Sequence, residues 1–272
     1  MNTHVDDLVE SASERLVISD EDIALFSVLP EEMDYVAQLS AIRNLLHRHR
    51  QADRLLEDQI KEIDEFAKRT TGLINQNAVD DWVDHLHASV YQDAAHSMAA
   101  VGMLAPFVES ILYQSFIGLH RNLSANTVPF SSHPRWQWST EQQWDCHFVY
   151  AKNGQRSKNF VEGVLQLAEA VGLTAHLPSD LRPILEALFK YRNNMFHEGF
   201  EWSKDERQKF GKYIKDKNWP SDWFTVATSG SEPWVFYMTD TFIDHCLVTI
   251  NQVLRGIGAF ARERSSPDES AE

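Results

Sequence analysis

Residues 181–200 read LRPILEALFKYRNNMFHEGF, and the organisation of the chain follows from this stretch. The spacing predicts one helix. Pro183 falls in the first turn, where a missing backbone N–H costs nothing; Ser179 and Asp180 precede it as candidate N-caps; Gly199 stands where a left-handed residue would close the helix. Leu181, Ile184, Leu185, Leu188, Tyr191 and Met195 recur at steps of three and four and form one apolar stripe, which a helix turns toward a core. Glu186, Lys190, Asn193 and His197 follow one another at about one turn on the opposite side, so a cation, an amide and an imidazole share a polar face. Arg192, beside Asn193, has the reach to join it.

The run Arg192-Asn193-Asn194-Met195-Phe196-His197 resembles the signature of the HEPN superfamily: an arginine, a polar residue, three variable residues and a histidine. The resemblance implies a mainly α fold, a HEPN-like four-helix bundle carrying the motif on its third helix, and in active members a metal-independent ribonuclease. It implies Arg192, Asn193 and His197 as the catalytic set, no cofactor, and a homodimer that brings two copies of the motif together. The same residues also admit a purely structural role. A histidine in the last turn is favoured by the helix dipole, and an arginine there can bond terminal carbonyls.

The 272 residues suffice for one large domain or a domain with an extension, and the net charge is −15. Such acidity argues against broad coating of nucleic acid, because phosphate contacts need Lys and Arg. The charge is uneven, however. Residues 150–217 hold 12 Lys/Arg against 9 Asp/Glu, whereas residues 1–75 hold 8 against 16. The block containing the motif is therefore locally basic, which suits a site that holds a phosphate; Lys204 to Lys217 also fits a solvated helix face. Two cysteines, Cys146 and Cys246, make no framework. The start, MNTHVDDLVE, is acidic where a signal peptide is basic and then apolar, and the most apolar run, Met98 to Leu119, is interrupted by Pro106, Glu109, Ser110, Gln114 and Ser115. A cytoplasmic chain with no membrane partner is expected.

Four segments, about 98–121, 159–171, 181–198 and 237–262, carry the periodicity of bundle helices. They define an expected bundle over residues 91–264. Residues 1–90 form a helical extension with no counterpart in the resembling family; it has a polar start and one long helix over about 31–70, where Leu39, Ile42, Leu46, His49, Asp53, Leu56, Ile60, Ile63 and Ala67 approach a heptad seam. That helix packs either on its own bundle or on another chain. Residues 265–272 read as a disordered tail. Asp81, Asp84, His85 and His87 include ligand-type side chains, but the spacing is that of a solvated helix face, and no metal is expected.

Glu109 sits in the middle of the apolar 98–121 segment; it reads either as an exposed edge charge or as a carboxylate supporting the site through a cation such as Arg192. Trp136, Trp138 and Trp144 punctuate a long connection, with a short strand expected over 144–150. Tryptophans there pin a loop to the core, and with His133, Arg135, Lys152, Arg156 and Lys158 they could also stack on and neutralise RNA. Lys190, Lys158 and Arg156 are the candidate substrate-binding cations. Residues 223–237 read as a small β-hairpin inserted into the helical frame.

The expected reaction is attack of a ribose 2′-hydroxyl on the adjacent phosphodiester, giving a 2′,3′-cyclic phosphate and a 5′-hydroxyl. His197 serves as acid or base, Arg192 stabilises the phosphoryl oxygens, and Asn193 orients His197 or the phosphate. A toxin or defence effector with a neutralising antitoxin or regulatory protein fits this reading. The alternative is a catalytically inactive bundle serving as a dimerisation, RNA-binding or partner-binding adaptor.

Overall fold

The computed structural model describes residues 19–123 and 132–265. Among these the chain is mainly α. In order it forms α1 (Asp20–Val28), α2 (Tyr35–Arg69), α3 (Gly72–Leu123), α4 (Thr140–Gln143), β1 (Phe148–Tyr150), β2 (Arg156–Lys158), α5 (Phe160–Val171), α6 (Leu181–Glu198), α7 (Lys204–Asp216), β3 (Phe224–Ser229), β4 (Glu232–Met238) and α8 (Asp240–Ser265). Residues 1–18 of the polar start and 266–272 of the expected disordered tail lie outside the described residues, as does 124–131 of the tryptophan-rich connection, while Ser265 still belongs to α8.

The polar start expected for the first twenty residues gives way at Ser19 to a helix that the reading of the sequence lacks. Ser19 and Asp22 form a reciprocal capping box, and Asp20, Glu21 and Asp22 face the positive end of the dipole. Pro30 follows the helix and keeps α1 separate from α2. Leu25 and Val28 are buried, and α1 lies close to α3 and α8 because both helices offer glycines. A Cβ on Gly118 would fall 1.6 Å from the Val28 carbonyl oxygen, and one on Gly258 would fall 2.2 Å from that of Glu21. No side chain larger than hydrogen fits at either position.

The solvated helix face of Asp81 to His87 and the bundle segment expected over 98–121 are parts of one 52-residue helix. Residues 91–97 contain neither glycine nor proline, so nothing locally stops it. Pro106 removes only one ladder bond from a helix buried on both sides of that point. α3 turns back on α2 at Thr70–Thr71, and Asn75 Nδ2 donates to the Ala67 carbonyl at 2.6 Å across the turn. α2 therefore packs against its own chain. Leu39, Ile42 and Leu46 are buried, whereas Leu56, Ile60 and Ile63 further along are only half-buried, so the distal part of the pair is a two-helix arm.

Polar contacts hold the root of this arm. Arg50 bridges Asp240 at 2.8 Å and Asp244 at 2.7 Å on α8, and His96 Nδ1 meets Asp53 at 2.8 Å. Beyond the arm, α3, α5, α6 and α8 enclose the core. Leu104, Val108, Ile111 and Leu112 of α3 meet Leu181, Ile184, Leu185 and Leu188 of α6 and Ile250, Val253 and Leu254 of α8. A second layer is aromatic: Trp202, Phe210, Trp219, Phe224 and Phe236 surround Tyr191, whose hydroxyl donates to the Phe236 carbonyl at 3.0 Å. The inserted hairpin is present, with β3 and β4 antiparallel and turning at Gly230. A shorter antiparallel pair joins β1 to β2. One described helix, α3, is long and apolar enough to cross a membrane, and more than half of its apolar window is buried inside the protein.

Asp93 lies at the arm root. Burial, with Asp53 and Glu57 nearby, pushes its carboxyl up to about 6 from 3.8. A raised folded pKa favours the protonated form, so this stability is present below pH 3.8 and lost as pH rises through about 6. Asp93→Asn, which stays neutral, should be more stable than wild type by about 1 kcal/mol near neutral pH, after allowance for solvent screening, with the gain vanishing in acid. Urea unfolding on either side of the window checks this.

Candidate active site

α6 separates the core from a cleft. Its stripe of Leu181, Ile184, Leu185, Leu188, Tyr191 and Met195 is buried throughout. Asp180 occupies the N-cap position without capping; its carboxylate meets His245 Nε2 at 2.9 Å instead. Gly199, at φ 76°, closes the helix as the sequence suggests.

The polar face of α6 borders a cleft of about 680 Å³, which also takes in Glu109 of α3, His147 ahead of β1, Lys158 of β2 and Tyr213 and Lys217 from the end of α7. Within it Arg192 Nη1 donates to Asn193 Oδ1 at 3.3 Å, and the Arg192 guanidinium lies 5.9 Å from the Phe196 ring. Lys190 stands 5.9 Å from the Tyr213 ring. The acidic residues of the same walls are mostly engaged. Glu186 pairs with Lys217 at 2.9 Å, and their hydrogen bond holds the Lys217 ammonium above its ordinary value, while Glu162 is taken by Arg182. Lys158, Lys190 and Arg192 form no ion pair among the described residues, which leaves the cleft a positive lining inside an acidic protein.

The remaining expected residues fall into different places. His197 continues the Lys190/Asn193 face one turn on, exposed, outside the cleft lining and without a hydrogen bond or ion pair among the described residues. Arg156 stacks over Phe148 at 4.7 Å and does not line the cleft. Glu109 does line it, but the group it meets is not Arg192: its Oε1 lies 3.3 Å from His147 Nε2. The helical spacing around Glu109 contains no information about that partner, because His147 arrives from a distant connection.

Arg135, read from the sequence as a possible RNA contact, is instead fully buried. Nη1 donates to the carbonyls of Gln143 at 2.8 Å and Asp145 at 3.1 Å; Nη2 donates to those of Phe148 at 2.7 Å and Gly163 at 3.0 Å. The guanidinium also lies 4.6 Å from the Tyr150 ring. Burial lowers its pKa to about 10, which leaves it charged at neutral pH. The two carbonyls flanking His147 are thus tied to one rigid fork. Gly163 completes the seat, since a Cβ there would fall 2.1 Å from the Cys146 carbonyl oxygen. The tryptophans of the connection pin it: Trp144 is buried and stacks on His120 at 4.9 Å, and Trp136 packs on Trp144 at 5.6 Å. Burial pushes the thiols of Cys146 and Cys246 upward, so neither is a nucleophile near neutral pH.

Comparison of the chain with protein-family models, with curated proteins and with solved structures gives no match in any of the three. Function is therefore argued from the chemistry of the cleft.

Two outcomes follow from these contacts. Arg135→Ala leaves four carbonyls of a buried corner without their donor and should lower stability by at least about 3 kcal/mol in urea unfolding. Arg192→Ala and His197→Ala remove side chains that bond no helix-terminal carbonyl, and each should change stability by less than about 0.5 kcal/mol in the same measurement.

Proposed function

We propose that the protein is a metal-independent endoribonuclease of the HEPN type, cleaving RNA by 2′-hydroxyl attack to a 2′,3′-cyclic phosphate and a 5′-hydroxyl. The observation that carries the reading is the Arg192–Asn193 pair on a cleft whose cations Lys158, Lys190 and Arg192 form no ion pair among the described residues. Four helices support it, because α3, α5, α6 and α8 follow the order of such a bundle and α6 is the third.

Arg192 binds the phosphoryl oxygens and stabilises the charge that grows on them, with Lys158 and Lys190 holding the neighbouring phosphates. Asn193 bonds Arg192 and fixes the direction of its guanidinium. His197 is the base for the 2′-hydroxyl, one turn along the same face. Its exposure leaves it accessible to a second copy, and a two-fold homodimer joined along this face would place two motif helices together. A toxin or defence role with a protein antidote suits a small cleft in a chain too acidic to coat nucleic acid. A second reading, an inactive partner-binding adaptor, is favoured by Leu55, Phe66, Leu73 and Ile74, all exposed on the arm.

RNA incubated in EDTA with purified protein tests the proposal. Wild type should leave cyclic phosphate ends, and Arg192→Ala and His197→Ala should each slow cleavage by about 10²-fold or more. Equal cleavage by His197→Ala would exclude the assigned base, and intact RNA with every preparation would favour the adaptor.

A further inference from the structure

The cleft contains an imidazole that the motif does not include. His147 lies between two carboxylates, with Nδ1 at 2.8 Å from Asp145 Oδ1 and Nε2 at 3.3 Å from Glu109 Oε1. The same Asp145 oxygen accepts the His147 backbone N–H at 2.9 Å, so the ring is oriented from that side. Tyr113 and Phe160 flank it with ring centroids at 5.3 and 5.5 Å. About a quarter of the side chain, 24%, remains open, and it opens on the cleft bordered by Lys158, Arg192 and Asn193.

The contacts fix the direction of the ring. An ionised carboxylate accepts only, so the Nδ1 facing Asp145 carries a hydrogen. On its other edge Nε2 faces the Glu109 carboxylate at 3.3 Å, so the ring lies between two acceptors. A charge-assisted N–H···O bond is ordinarily about 2.7–2.9 Å, so the Asp145 contact is the closer of the two and the Glu109 contact the longer. The His147 side chain lines the same cleft as Arg192. The arrangement is that of an imidazole oriented by two carboxylates and open to the cleft, the geometry an acid–base group needs.

On the ribonuclease reading above, on which this inference rests, we propose that His147 is the general acid of the cleft, with Asp145 as its positioning residue and Glu109 as the group that shares and restores its proton. In the step, His197 takes the proton of the 2′-hydroxyl, the 2′-oxygen bonds to phosphorus, and the phosphorus–O5′ bond breaks with its electron pair passing to O5′. That oxygen takes the proton from His147 Nε2. The step is redox-neutral and consumes no water; His147 recovers a proton and His197 loses one by exchange through Glu109 and solvent. Acid and base then come from different elements, α6 and the connection before β1, and the acid belongs to the same chain as Arg192.

A leaving group that needs no proton separates this role from a structural one. Wild type, His147→Gln, Asp145→Asn and Arg192→Ala are compared on an RNA dinucleotide and on uridine 3′-(4-nitrophenyl phosphate), both in EDTA, with thermal unfolding of each variant. His147→Gln should lose about 10²–10³-fold in kcat on the dinucleotide and stay within a few-fold of wild type on the nitrophenyl ester, which also shows that the variant is folded. Asp145→Asn should show the same selectivity with a loss of about 10-fold, and Arg192→Ala should lose activity on both substrates. If His147→Gln slows both substrates alike, or neither, while wild type is active and Arg192→Ala is not, the acid assignment is overturned and the ribonuclease reading survives. Wild type inactive on both overturns the two together.

Discussion

The buried guanidinium of Arg135 is the interaction on which the cleft depends. It meets no carboxylate; four main-chain carbonyls and the face of Tyr150 surround it instead. A full charge enclosed this way is tolerable because each carbonyl is a fixed dipole aimed at a donor, and charge-assisted bonds are stronger than neutral ones. The geometry of the fork does the rest. Two nitrogens bonding four oxygens define one arrangement of the chain from Gln143 to Phe148, and that arrangement sets Asp145 and His147 over α5. Close approach at Gly163 is the complementary requirement, since the Arg135 bond to the Gly163 carbonyl and the proximity of Cys146 occur at the same residue.

α6 transmits this order to the motif. Its buried stripe is held by α3 and α8 on one side and by the aromatic layer around Tyr191 on the other, so Lys190, Arg192 and Asn193 are presented by a helix that has little freedom to rotate. Electrostatics then distinguish the cleft from the rest of the surface. Most of the protein's negative charge lies elsewhere in the chain, and the acidic groups that do reach the cleft are neutralised by Lys217 and Arg182 or face His147. Lys158, Lys190 and Arg192 are left without an ion pair among the described residues, within a chain whose net charge is negative.

The arm obeys a different balance. Near the body, α2 and α3 share apolar contacts through Leu39, Ile42 and Leu46; further out the same seam has only two helices to cover it, and Leu56, Ile60 and Ile63 remain half-buried. At the transition the contacts turn polar, with Arg50 clasped by two aspartates of α8 and Asp93 crowded by other carboxylates. The arm is therefore joined to the body by groups whose strength varies with pH and salt rather than by continuous core.

Periodicity by itself determined the helices of the bundle, the burial of the α6 stripe, its closure at Gly199, and the shared polar face of Lys190, Asn193 and His197, because each of these depends on residues within a few turns of one another. Local signals also marked the hairpin and the pinning tryptophans. They could not join the two halves of α3, since a stretch merely lacking stop signals carries no positive mark, and they missed α1, whose short apolar set gains meaning only against Gly118 and Gly258. Arg135 was misjudged for a related reason: an arginine in a polar loop reads as a surface charge until four carbonyls from separate segments converge on it. The meeting of Glu109, Asp145 and His147 was decided by tertiary structure alone, because it unites a helix and a connection with no common period, and only the fold brings the His147 ring to 3.3 Å from Glu109 and 2.8 Å from Asp145.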